Sequence, residues 1–244
     1  QNHELLITSP APDSHDLSRY YQSENYISHT DSKKGIFEKV YQIVKKFTIS
    51  RKVSLIKKEN KSAGKLLDIG AGTGEFLLAA KKSNWEVLGV EPNEQARNLS
   101  EDKGVSLAEN LELVSDKNFD VITLWHVLEH LPNLQKDINL IHSKLKKGGT
   151  LIIAVPNFKS YDAGYYKKYW AAFDVPRHLW HFSRSGIKSL FEENGFTLKK
   201  VNPMLFDSFY VSLLSEKYKT GKQNWIKAFW IGLRSNLHGF LKKE

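Results

Sequence analysis

The hydrophobic residues in the middle of the chain follow two alternating patterns. Short apolar runs typical of buried strands are separated by stretches with the spacing of amphipathic helices. The predicted strands are Lys65–Ile69, Glu86–Val90, Val105–Ala108, Phe119–Leu124 and Thr150–Val155, and the predicted helices are Glu75–Ser83, Asn93–Lys103 and Leu134–Leu145. Strands that alternate with helices in this way predict an α/β fold, with a mostly parallel sheet and helices on both faces.

The chain is predicted to contain three parts. An N-terminal segment with a helical cap comes first, followed by the strand–helix core and a helical C-terminal extension. Within the core, a Tyr- and Trp-rich insertion is too long for a tight turn, and we interpret it as a lid. The predicted boundaries are 1–63, 64–205 with the lid at about 157–182, and 206–244.

Four smaller elements complete the predicted fold. Gly35–Lys58 has the spacing of one or two basic amphipathic helices. The glycines of Lys147-Gly148-Gly149 predict the end of the preceding helix and a turn. Ser183–Asn194 predicts a helix with Ser183 as its N-cap, and Phe196–Val201 predicts a further strand.

The junction after the first core strand has the clearest chemical signal. It contains Asp68 and then Gly70-Ala71-Gly72-Thr73-Gly74, whose glycines permit a tight turn close to a ligand. The spacing differs from the G-x-G-x-x-G that binds a dinucleotide pyrophosphate, and Asp68 would repel a pyrophosphate but could hold an ammonium group. Glu91 ends the next strand, where a carboxylate can accept both ribose hydroxyls of an adenosine. The alternative for Glu91 is an exposed acid at a strand end.

In these residues and their order, the chain resembles class I S-adenosylmethionine-dependent methyltransferases from Lys65 to about Val201. The resemblance extends to a branch that includes ubiquinone-biosynthesis O-methyltransferases and uncharacterised bacterial enzymes. The phrases that carry it are His126-Val127-Leu128-Glu129-His130, Leu145-Lys146-Lys147-Gly148-Gly149 and Asp174-Val175-Pro176-Arg177-His178-Leu179. The resemblance implies a Rossmann-like fold, S-adenosylmethionine as cofactor with S-adenosylhomocysteine as product, and in-line methyl transfer, expected on an oxygen of a small-molecule or lipid-like acceptor.

The resemblance also implies which residues bind the cofactor. The glycine turn would surround the methionine part, Glu91 would bind the ribose, and Pro92 and Asn93 would lie by the adenine. Trp125 and His126 would line the sulfonium side. The implied cofactor-binding set is Asp68, Gly70, Ala71, Gly72, Gly74, Glu91, Pro92, Trp125 and His126.

Three histidines after the fourth and fifth core strands are the candidate catalytic residues, His126, His178 and His181. An imidazole near its ordinary pKa of ~6.5 can take a proton from an attacking hydroxyl at neutral pH. In related enzymes a Glu-x-x-Glu-His phrase and a later His bind a divalent metal, and here His126 replaces the first Glu. Many relatives without metal keep a Glu-His pair, so we expect no obligatory metal, with Glu129 and His130 as the candidate ligands. Their alternative is local pairing and packing.

The predicted substrate-binding residues are Tyr165, Trp170 and Arg177. Aromatic rings offer flat apolar walls with polar tips, and a guanidinium suits a carboxylate or phosphate. With His126 and the 177–181 loop they are predicted to form the acceptor pocket, and Tyr21 and Tyr26 are expected to close over the cofactor. The alternatives are that the aromatic residues tie the insertion to the core and that Arg177 pairs with an acid such as Asp174.

Composition limits the expected partners, the possible covalent chemistry and the expected location of the protein. The net charge is +9 and the pI is about 9.4, but the lysines are spread along the chain, so we interpret them as solubilising. DNA is not an expected partner and RNA is a disfavoured one. The absence of cysteine excludes disulfides, thiolate metal sites and a Cys nucleophile. With no secretory signal visible, a cytoplasmic location is expected, although residues ahead of Gln1 are suspected to be missing.

An apolar stripe marks the C-terminal stretch. Its members have helical spacing and are Trp225, Ile226, Phe229, Trp230, Leu233, Leu237 and Phe240, with lysines and Arg234 between them. Such a stripe predicts a face packed on the parent domain or on a second subunit of a homodimer. Peripheral contact with anionic lipid is the alternative.

Other functional classes stay open on the sequence alone. A non-catalytic module that binds the cofactor would carry the same glycine turn, and so would a methyltransferase that acts on RNA. An NAD or nucleotide-sugar enzyme is disfavoured by the glycine spacing and by the absence of a Tyr-x-x-x-Lys helix after the fourth strand.

Overall fold

The computed structural model describes residues 4–13, 20 and 36–241, and the side chains of residues 36–41 are not described. Tyr21 and Tyr26, which are predicted to close over the cofactor, lie outside the described residues. The strands are β1 (Leu5–Ile7), β2 (Lys65–Ile69), β3 (Glu86–Val90), β4 (Leu107–Ala108), β5 (Phe119–Trp125), β6 (Leu145–Ala154) and β7 (Trp180–Phe182). The helices are α1 (Ile36–Asn60), α2 (Glu75–Lys81), α3 (Glu94–Glu101), α4 (Leu134–Lys144), α5 (Tyr161–Tyr166), α6 (Arg184–Glu193), α7 (Asp207–Thr220) and α8 (Trp225–Leu241).

The chain divides into two compact units. The first, here called the sheet unit, consists of Ser14–Val127 and Asn133–Ile153. The second, the helical unit, consists of Gln1–Asp13, Leu128–Pro132 and Ala154–Glu244. This division cuts across the predicted boundaries, because α1 packs on α2 in the sheet unit and the predicted lid packs on α7 and α8 in the helical unit.

The sheet unit contains the predicted α/β sheet, with strand order β4-β3-β2-β5-β6. Strand β2 pairs in parallel with β3 on one side and with β5 on the other. The chain moves outward from β2 to β4 and then returns to place β5 beside β2. The crevice at the carboxyl ends of β2 and β5 is therefore a topological switch point, where open parallel sheets bind ligands.

Burial explains why the central strands are nearly continuous apolar runs. Leu66 and Leu67 of β2 point to opposite faces of the sheet, and both are fully buried. Strand β5 contributes Val121 and Ile122 in the same way. A strand covered on both faces needs apolar residues at successive positions, which is the pattern that the sequence shows.

Two sequence predictions about elements are wrong. Helix α4 ends at Lys144 and β6 begins at Leu145, so Lys147-Gly148-Gly149 lies inside a strand, although Gly148 has the positive φ of 78° expected of a turn. Residues 196–201 form no strand within the described chain. Phe196 packs on the ring of Phe191, whereas Leu198 and Val201 are exposed, so β propensity here finds neither a partner strand nor a core.

The helical unit combines a small sheet with a helical core. β1 pairs antiparallel with β7, and neither strand is predicted from the sequence. Ser183 caps α6 as predicted, since its hydroxyl accepts a hydrogen bond from Gly186 N–H at 3.0 Å. A core cluster of buried residues joins the insertion to α8; its members are Ala163, Tyr166, Trp170, Ala172 and Ile231.

None of the helices that the structure describes is long and apolar enough to cross a membrane.

Candidate functional site

The glycine turn of the sheet unit is fixed to the end of β3. The backbone N–H groups of Gly70 and Ala71 both donate to the carbonyl oxygen of Val90, at 2.8 and 2.9 Å. Gly74 N–H donates back to the carbonyl of Ala71 at 3.0 Å, which closes the turn before α2 begins at Glu75. These backbone hydrogen bonds fix the path of the chain from β2 into α2.

The three positions of the turn require or permit glycine for different structural reasons. All three have positive φ, which L-residues with a Cβ rarely adopt. A Cβ at Gly70 would collide with the side chain of Val127, and one at Gly74 would collide with that of Ser100. At Gly72, by contrast, no described heavy atom outside residues 71–73 lies within 4 Å of where a Cβ would stand. Gly70 and Gly74 are thus required by packing, and Gly72 leaves open space in which a ligand can approach the backbone.

Glu91 connects the end of β3 to this turn. Its Oε2 accepts a hydrogen bond from Gly72 N–H at 2.8 Å, and its Oε1 accepts one from Asn93 N–H at 3.0 Å. The side chain is buried, so the alternative of an exposed acid is wrong. Burial raises the pKa of this carboxyl, against the two backbone donors, which lower it. Each carboxylate oxygen has lone pairs to spare, so both can accept a second hydrogen bond from a ligand.

The residues after Glu91 shape the rim of the same crevice. Pro92 is exposed, and Asn93 caps α3 by accepting a hydrogen bond from Ala96 N–H at 3.0 Å. Arg97 donates to the carbonyl oxygens of Glu91 and Pro92 at 2.9 and 2.7 Å. The cap and the guanidinium together fix the path of the backbone beside the place predicted for an adenine.

Asp68 is buried near the end of β2, two residues before Gly70. Its Oδ1 accepts a hydrogen bond from the Thr123 hydroxyl of the neighbouring strand at 2.6 Å. Burial raises the pKa of this carboxyl to about 7, and the Thr123 hydroxyl and the nearby Lys52 ammonium oppose the rise. A carboxyl in this state is only half ionised at neutral pH, and a cationic group bound beside it would favour the ionised form.

Lys52 is a residue of this region that the sequence does not single out. It belongs to α1, and its Nζ lies 4.4 Å from the centre of the Trp125 ring, a cation–π geometry. Trp125 also contacts Phe76 edge-on, with ring centroids 5.8 Å apart. The buried Trp125 Nε1 has no hydrogen-bond partner among the described residues. Trp125 therefore already binds one cation on its ring and keeps an Nε1–H donor that no described residue uses.

His126 follows Trp125 at the end of β5 with a φ of 59°. A left-handed backbone is uncommon for a residue with a Cβ and is found preferentially at functional sites. Its side chain is half-buried. The predicted cofactor residues of the sheet unit therefore lie on the ends of three neighbouring strands, β2, β3 and β5.

A histidine cluster lies in the helical unit. The ring centroids of His130 and His178 are 4.6 Å apart, and those of His178 and His181 are 6.5 Å apart. His130 Nδ1 lies 3.1 Å from the carbonyl oxygen of Arg177, and His178 Nδ1 lies 2.9 Å from that of Ala172. Because a carbonyl only accepts, each Nδ1 carries the hydrogen, and each neutral ring keeps a lone pair on Nε2.

The cluster has the donor set of a divalent metal site. One ligand atom from each of Glu129, His130 and His178 lies within 4.8 Å of the other two. Glu129 is 1% exposed, and burial lowers the pKa of His178 to about 4, so this imidazole is neutral at pH 7. Metal-binding histidines characteristically donate their other N–H to a carbonyl, as both do here. Two imidazoles and a carboxylate fit Zn, Mn or Fe.

His181 is held by Thr8 of the N-terminal segment. The Thr8 hydroxyl donates to the carbonyl oxygen of His178 at 2.6 Å, and the Thr8 hydroxyl oxygen lies 3.1 Å from His181 Nε2. Since the single hydroxyl hydrogen is already used, His181 Nε2 must be the donor, and the neutral ring then has its lone pair on Nδ1. Burial lowers the pKa of His181, which favours that neutral form.

The predicted substrate residues occupy three different environments. The guanidinium of Arg177 donates to Asp174 Oδ1 at 2.8 Å, which is the structural alternative foreseen for it. Trp170 is 4% exposed and donates through Nε1 to the buried Asp162 at 2.7 Å, which favours a packing role. Tyr165 is half-buried, and Lys219 Nζ lies 4.6 Å from its ring centre. Their contact with a substrate stays a prediction.

A family model described as "Methyltransferase domain" matches residues 41–201. This range includes the glycine turn, Glu91 and the histidine cluster, but not Thr8, which contacts the cluster. The chain belongs to this methyltransferase family. The resemblance found in the sequence is thereby confirmed. The family match ends before α7 and α8, so the C-terminal helices lie outside the part that the family shares.

Curated relatives agree with the family assignment. The chain is 28% identical to the mitochondrial ubiquinone biosynthesis O-methyltransferase of Rattus norvegicus over 167 residues, 61% of this chain and 48% of the relative. It is 29% identical to an uncharacterized methyltransferase of Alkaliphilus oremlandii over 109 residues, 42% of this chain and 50% of the relative. The chain thus spans about half the length of these two relatives.

Solved structures confirm the Rossmann-like methyltransferase fold. Magnesium protoporphyrin IX methyltransferase from Synechocystis PCC 6803, solved with bound SAH, has a TM-score of 0.57 at 17% identity and covers 78% of this chain and 92% of its own. An Archaeoglobus fulgidus SAM-dependent methyltransferase has a TM-score of 0.52 at 24% identity, covering 71% and 86%. At these identities the likeness concerns the fold.

Proposed function

We propose that this protein is an S-adenosylmethionine-dependent methyltransferase that transfers the sulfonium methyl group to an oxygen of a small-molecule or lipid-like acceptor. The observation that carries the proposal is the pairing of Glu91 with Gly72. A buried carboxylate is held by backbone N–H groups beside a glycine whose Cβ position is open space. Such a carboxylate is suited to the two hydroxyls of a ribose, and the open position is suited to a ligand lying along the turn.

The second buried acid supports the same ligand. Asp68 lies near the end of β2, just before the turn, and its pKa of about 7 makes it sensitive to a nearby cation. The ammonium of the cofactor's methionine part is such a cation. A nicotinamide dinucleotide would instead bring a negatively charged pyrophosphate toward Asp68, which electrostatic repulsion disfavours.

Trp125 and His126 are proposed to face the sulfonium. An indole ring attracts cations, as the Lys52 ammonium 4.4 Å from the centre of the Trp125 ring shows, and a sulfonium would lie on the part of the ring that Lys52 does not cover. Methyl transfer by in-line displacement requires a positioned nucleophile and a leaving sulfide, with no covalent enzyme intermediate. The carbon–sulfur bond breaks as the oxygen–carbon bond forms.

The proton of the acceptor hydroxyl needs a base, and we assign this role to His181. Its Nε2 is held by Thr8, so its Nδ1 has the lone pair that a general base requires. His178 is less suited, because its Nε2 belongs to the donor set shared with Glu129 and His130. A divalent cation bound by these three residues would supply Lewis acidity toward an oxygen acceptor. Methyl transfer without an obligatory metal stays our expectation.

Two relatives support an oxygen acceptor. The proteins from Rattus norvegicus and from Coxiella burnetii are both named ubiquinone biosynthesis O-methyltransferases, the latter 31% identical over 107 residues. A phenolic hydroxyl is acidic enough for an imidazole base to activate it. We therefore place quinol-like phenols first among the acceptors to be screened, with glycolipids and RNA after them.

Calorimetry with S-adenosylhomocysteine and NAD tests the cofactor assignment. We expect binding of the first and none of the second. Gly72→Ala should weaken S-adenosylhomocysteine binding, because its Cβ enters the proposed ligand space. Gly104→Ala is the matched control, since Gly104 also has positive φ and open surroundings but lies outside the turn.

Two results would overturn the proposal. One is tighter binding of NAD than of S-adenosylhomocysteine. The other is equal affinity for S-adenosylhomocysteine in the two glycine variants, which would move the ligand away from the turn. Cofactor binding without transfer to any phenol, lipid or RNA would leave a cofactor-binding module and remove the catalytic part of the proposal.

A further inference from the structure

Helix α8 has two sides of opposite character. Successive helical residues are rotated by about 100°, so exposure along the helix maps directly onto its circumference. The buried residues Ala228, Ile231, Gly232 and Ser235 fall on one side. They pack against α7 and the insertion: Gly232 lies against Phe209, and Ser235 donates to the buried Asp162 at 2.6 Å. The buried side of α8 is therefore not the apolar stripe singled out in the sequence. Six of the seven stripe residues are exposed, so the prediction that this stripe packs on the parent domain is wrong.

The opposite side is apolar and exposed. We call it the apolar α8 face; it consists of Trp225, Ile226, Phe229, Trp230, Leu237, Phe240 and Leu241, with exposed fractions from 52% to 83%. These residues occupy an arc of about 160°. Contiguous exposed apolar surface of this kind marks an interaction site. The first seven residues of the helix, 225–231, include three aromatic residues. Two of these are Trp, the residue favoured at the boundary between lipid and water.

The charge of the region is one-sided. Between Gly221 and Leu241 the sequence has the cations Lys222, Lys227 and Arg234 and no acidic residue. Lys227 is engaged by Glu216 of α7 at 3.2 Å, whereas Lys222 and Arg234 are exposed. Lys242, Lys243 and Glu244 follow in the sequence and add one net positive charge. The apolar α8 face is therefore bordered by positive charge, on a chain whose net charge is +9.

We propose that the apolar α8 face binds the surface of a bilayer that contains anionic lipid. A helix with one apolar aromatic side and cationic borders lies in the interface plane, with its apolar side among the acyl chains and its cations at the headgroups. A second copy of this chain fits less well. A symmetric contact through this face would bring the exposed Lys222 and Arg234 of one copy toward those of the other, and like charges in an interface oppose association.

Vesicle co-sedimentation tests the proposal with the full chain. Vesicles of phosphatidylcholine alone are compared with vesicles that also contain phosphatidylglycerol, and we expect strong binding only to the second. Ile226→Gln with Trp230→Gln should reduce binding at least about tenfold, because two exposed apolar side chains no longer enter the bilayer. The matched control is Ile43→Gln with Leu113→Gln, which removes equally exposed apolar side chains from the sheet unit.

The contribution of the cationic side chains to vesicle binding is measured separately. Replacement of Lys222 and Arg234 by Gln should weaken binding to the anionic vesicles by about fivefold for each charge. High salt should have a similar effect. Binding should also shift the tryptophan emission to shorter wavelength, since Trp225 and Trp230 are both more than half exposed. Trp230→Phe should keep the binding and reduce that shift.

Three results would overturn the proposal. Equal vesicle binding by the α8 variant and by its control would place the contact elsewhere. No binding to either vesicle would remove the contact altogether. A dimer seen by analytical ultracentrifugation that dissociates in the α8 variant would make the second copy the occupant. Calorimetry with S-adenosylhomocysteine and the melting temperature check that each variant is folded; if the first variant is not, Leu237→Gln with Leu241→Gln replaces it.

Discussion

The glycine turn and the histidine cluster both fix polar side chains with backbone groups, but with groups of opposite polarity. In the turn, backbone N–H donors hold the buried carboxylate of Glu91. In the cluster, backbone carbonyl acceptors hold the imidazoles of His130 and His178. Donors stabilise an anion that can receive ligand hydroxyls, and acceptors select the neutral imidazole tautomer that can receive a proton or a metal. One region is thus prepared for a ligand, the other for proton or metal chemistry.

The largest expected effect is at Glu91. Glu91→Ala removes the acceptor of two proposed ribose hydrogen bonds, each worth about 1.5–3 kcal/mol to a charged group. It also leaves Gly72 N–H and Asn93 N–H without their partner. We expect loss of S-adenosylhomocysteine binding by at least a hundredfold in calorimetry.

Glu91→Gln is the informative control for that variant. It keeps the size of the side chain and one acceptor oxygen, so we expect an affinity between those of the parent and of Glu91→Ala. Unchanged affinity in Glu91→Ala would show that the ribose lies elsewhere.

The next effect concerns pH and Asp68. A cationic ammonium binds the ionised carboxyl best, and the pKa of Asp68 is about 7, so cofactor affinity should rise by about tenfold between pH 6 and pH 8. Asp68→Asn should be weak at both values and nearly independent of pH. A flat profile in the parent protein would separate Asp68 from the ammonium.

The same carboxyl has the opposite effect on the protein without ligand. Its pKa is raised from an ordinary 3.8 to about 7, so the folded state loses stability as the pH rises through that window, by up to about 4 kcal/mol. Asp68→Asn should therefore melt at a higher temperature than the parent at pH 8 and not at pH 3. An equal melting temperature of the two proteins at pH 8 would contradict the cost of this buried charge.

Metal binding tests the cluster. Zn²⁺ or Mn²⁺ at a hundred times its Kd should stabilise the fold by about 2.7 kcal/mol, and EDTA should reverse the increase in melting temperature. His178→Ala should abolish the increase, whereas His142→Ala, on the exposed side of α4, should keep it. No change in the parent would remove the metal site.

The same titration addresses the role of metal in turnover. We expect EDTA to leave most methyl transfer intact once an acceptor is known. Complete loss of activity that one divalent ion restores would make the metal obligatory.

The smallest expected effect is at Thr8. Thr8→Val removes one hydrogen bond to His181, worth about 1 kcal/mol, and should change the ratio of the two neutral tautomers by about fivefold. The ¹⁵N chemical shifts of the imidazole report this ratio directly, and Thr8→Ser should restore the parent spectrum. Identical spectra for Thr8→Val and the parent would show that the tautomer has another cause.

The two regions also differ in how far the sequence predicts them. Asp68, the glycines and Glu91 are close together in the chain, so their spacing carries the strand, the turn and the acid at once. The sequence does not predict that Glu91 is bound to Gly72 N–H, because that bond depends on strand packing. Gly70 and Gly74 are required by Val127 and Ser100, which no local pattern connects to them.

The cluster depends on contacts between distant segments. His178 and His181 are candidates from their position after β6, but Thr8 has no local signal. It reaches His181 because β1 pairs with β7, and three-residue strands are too short for periodicity to reveal. Lys52 looks like any other cation of the basic helix α1, and only the packing of α1 brings it to Trp125.

The division of the chain has a consequence for how the protein can be taken apart. Its unit borders fall after Asp13, Val127, Pro132 and Ile153, so the polypeptide passes from one unit to the other four times. No single cut in the gene can separate the units, and an exchange of the helical unit between relatives would have to graft three segments at once. Removal of only the first 13 residues would take β1 from β7 and Thr8 from His181, leaving the rest of the histidine cluster in the chain. Shortening the N-terminus is therefore a change to the proposed chemistry.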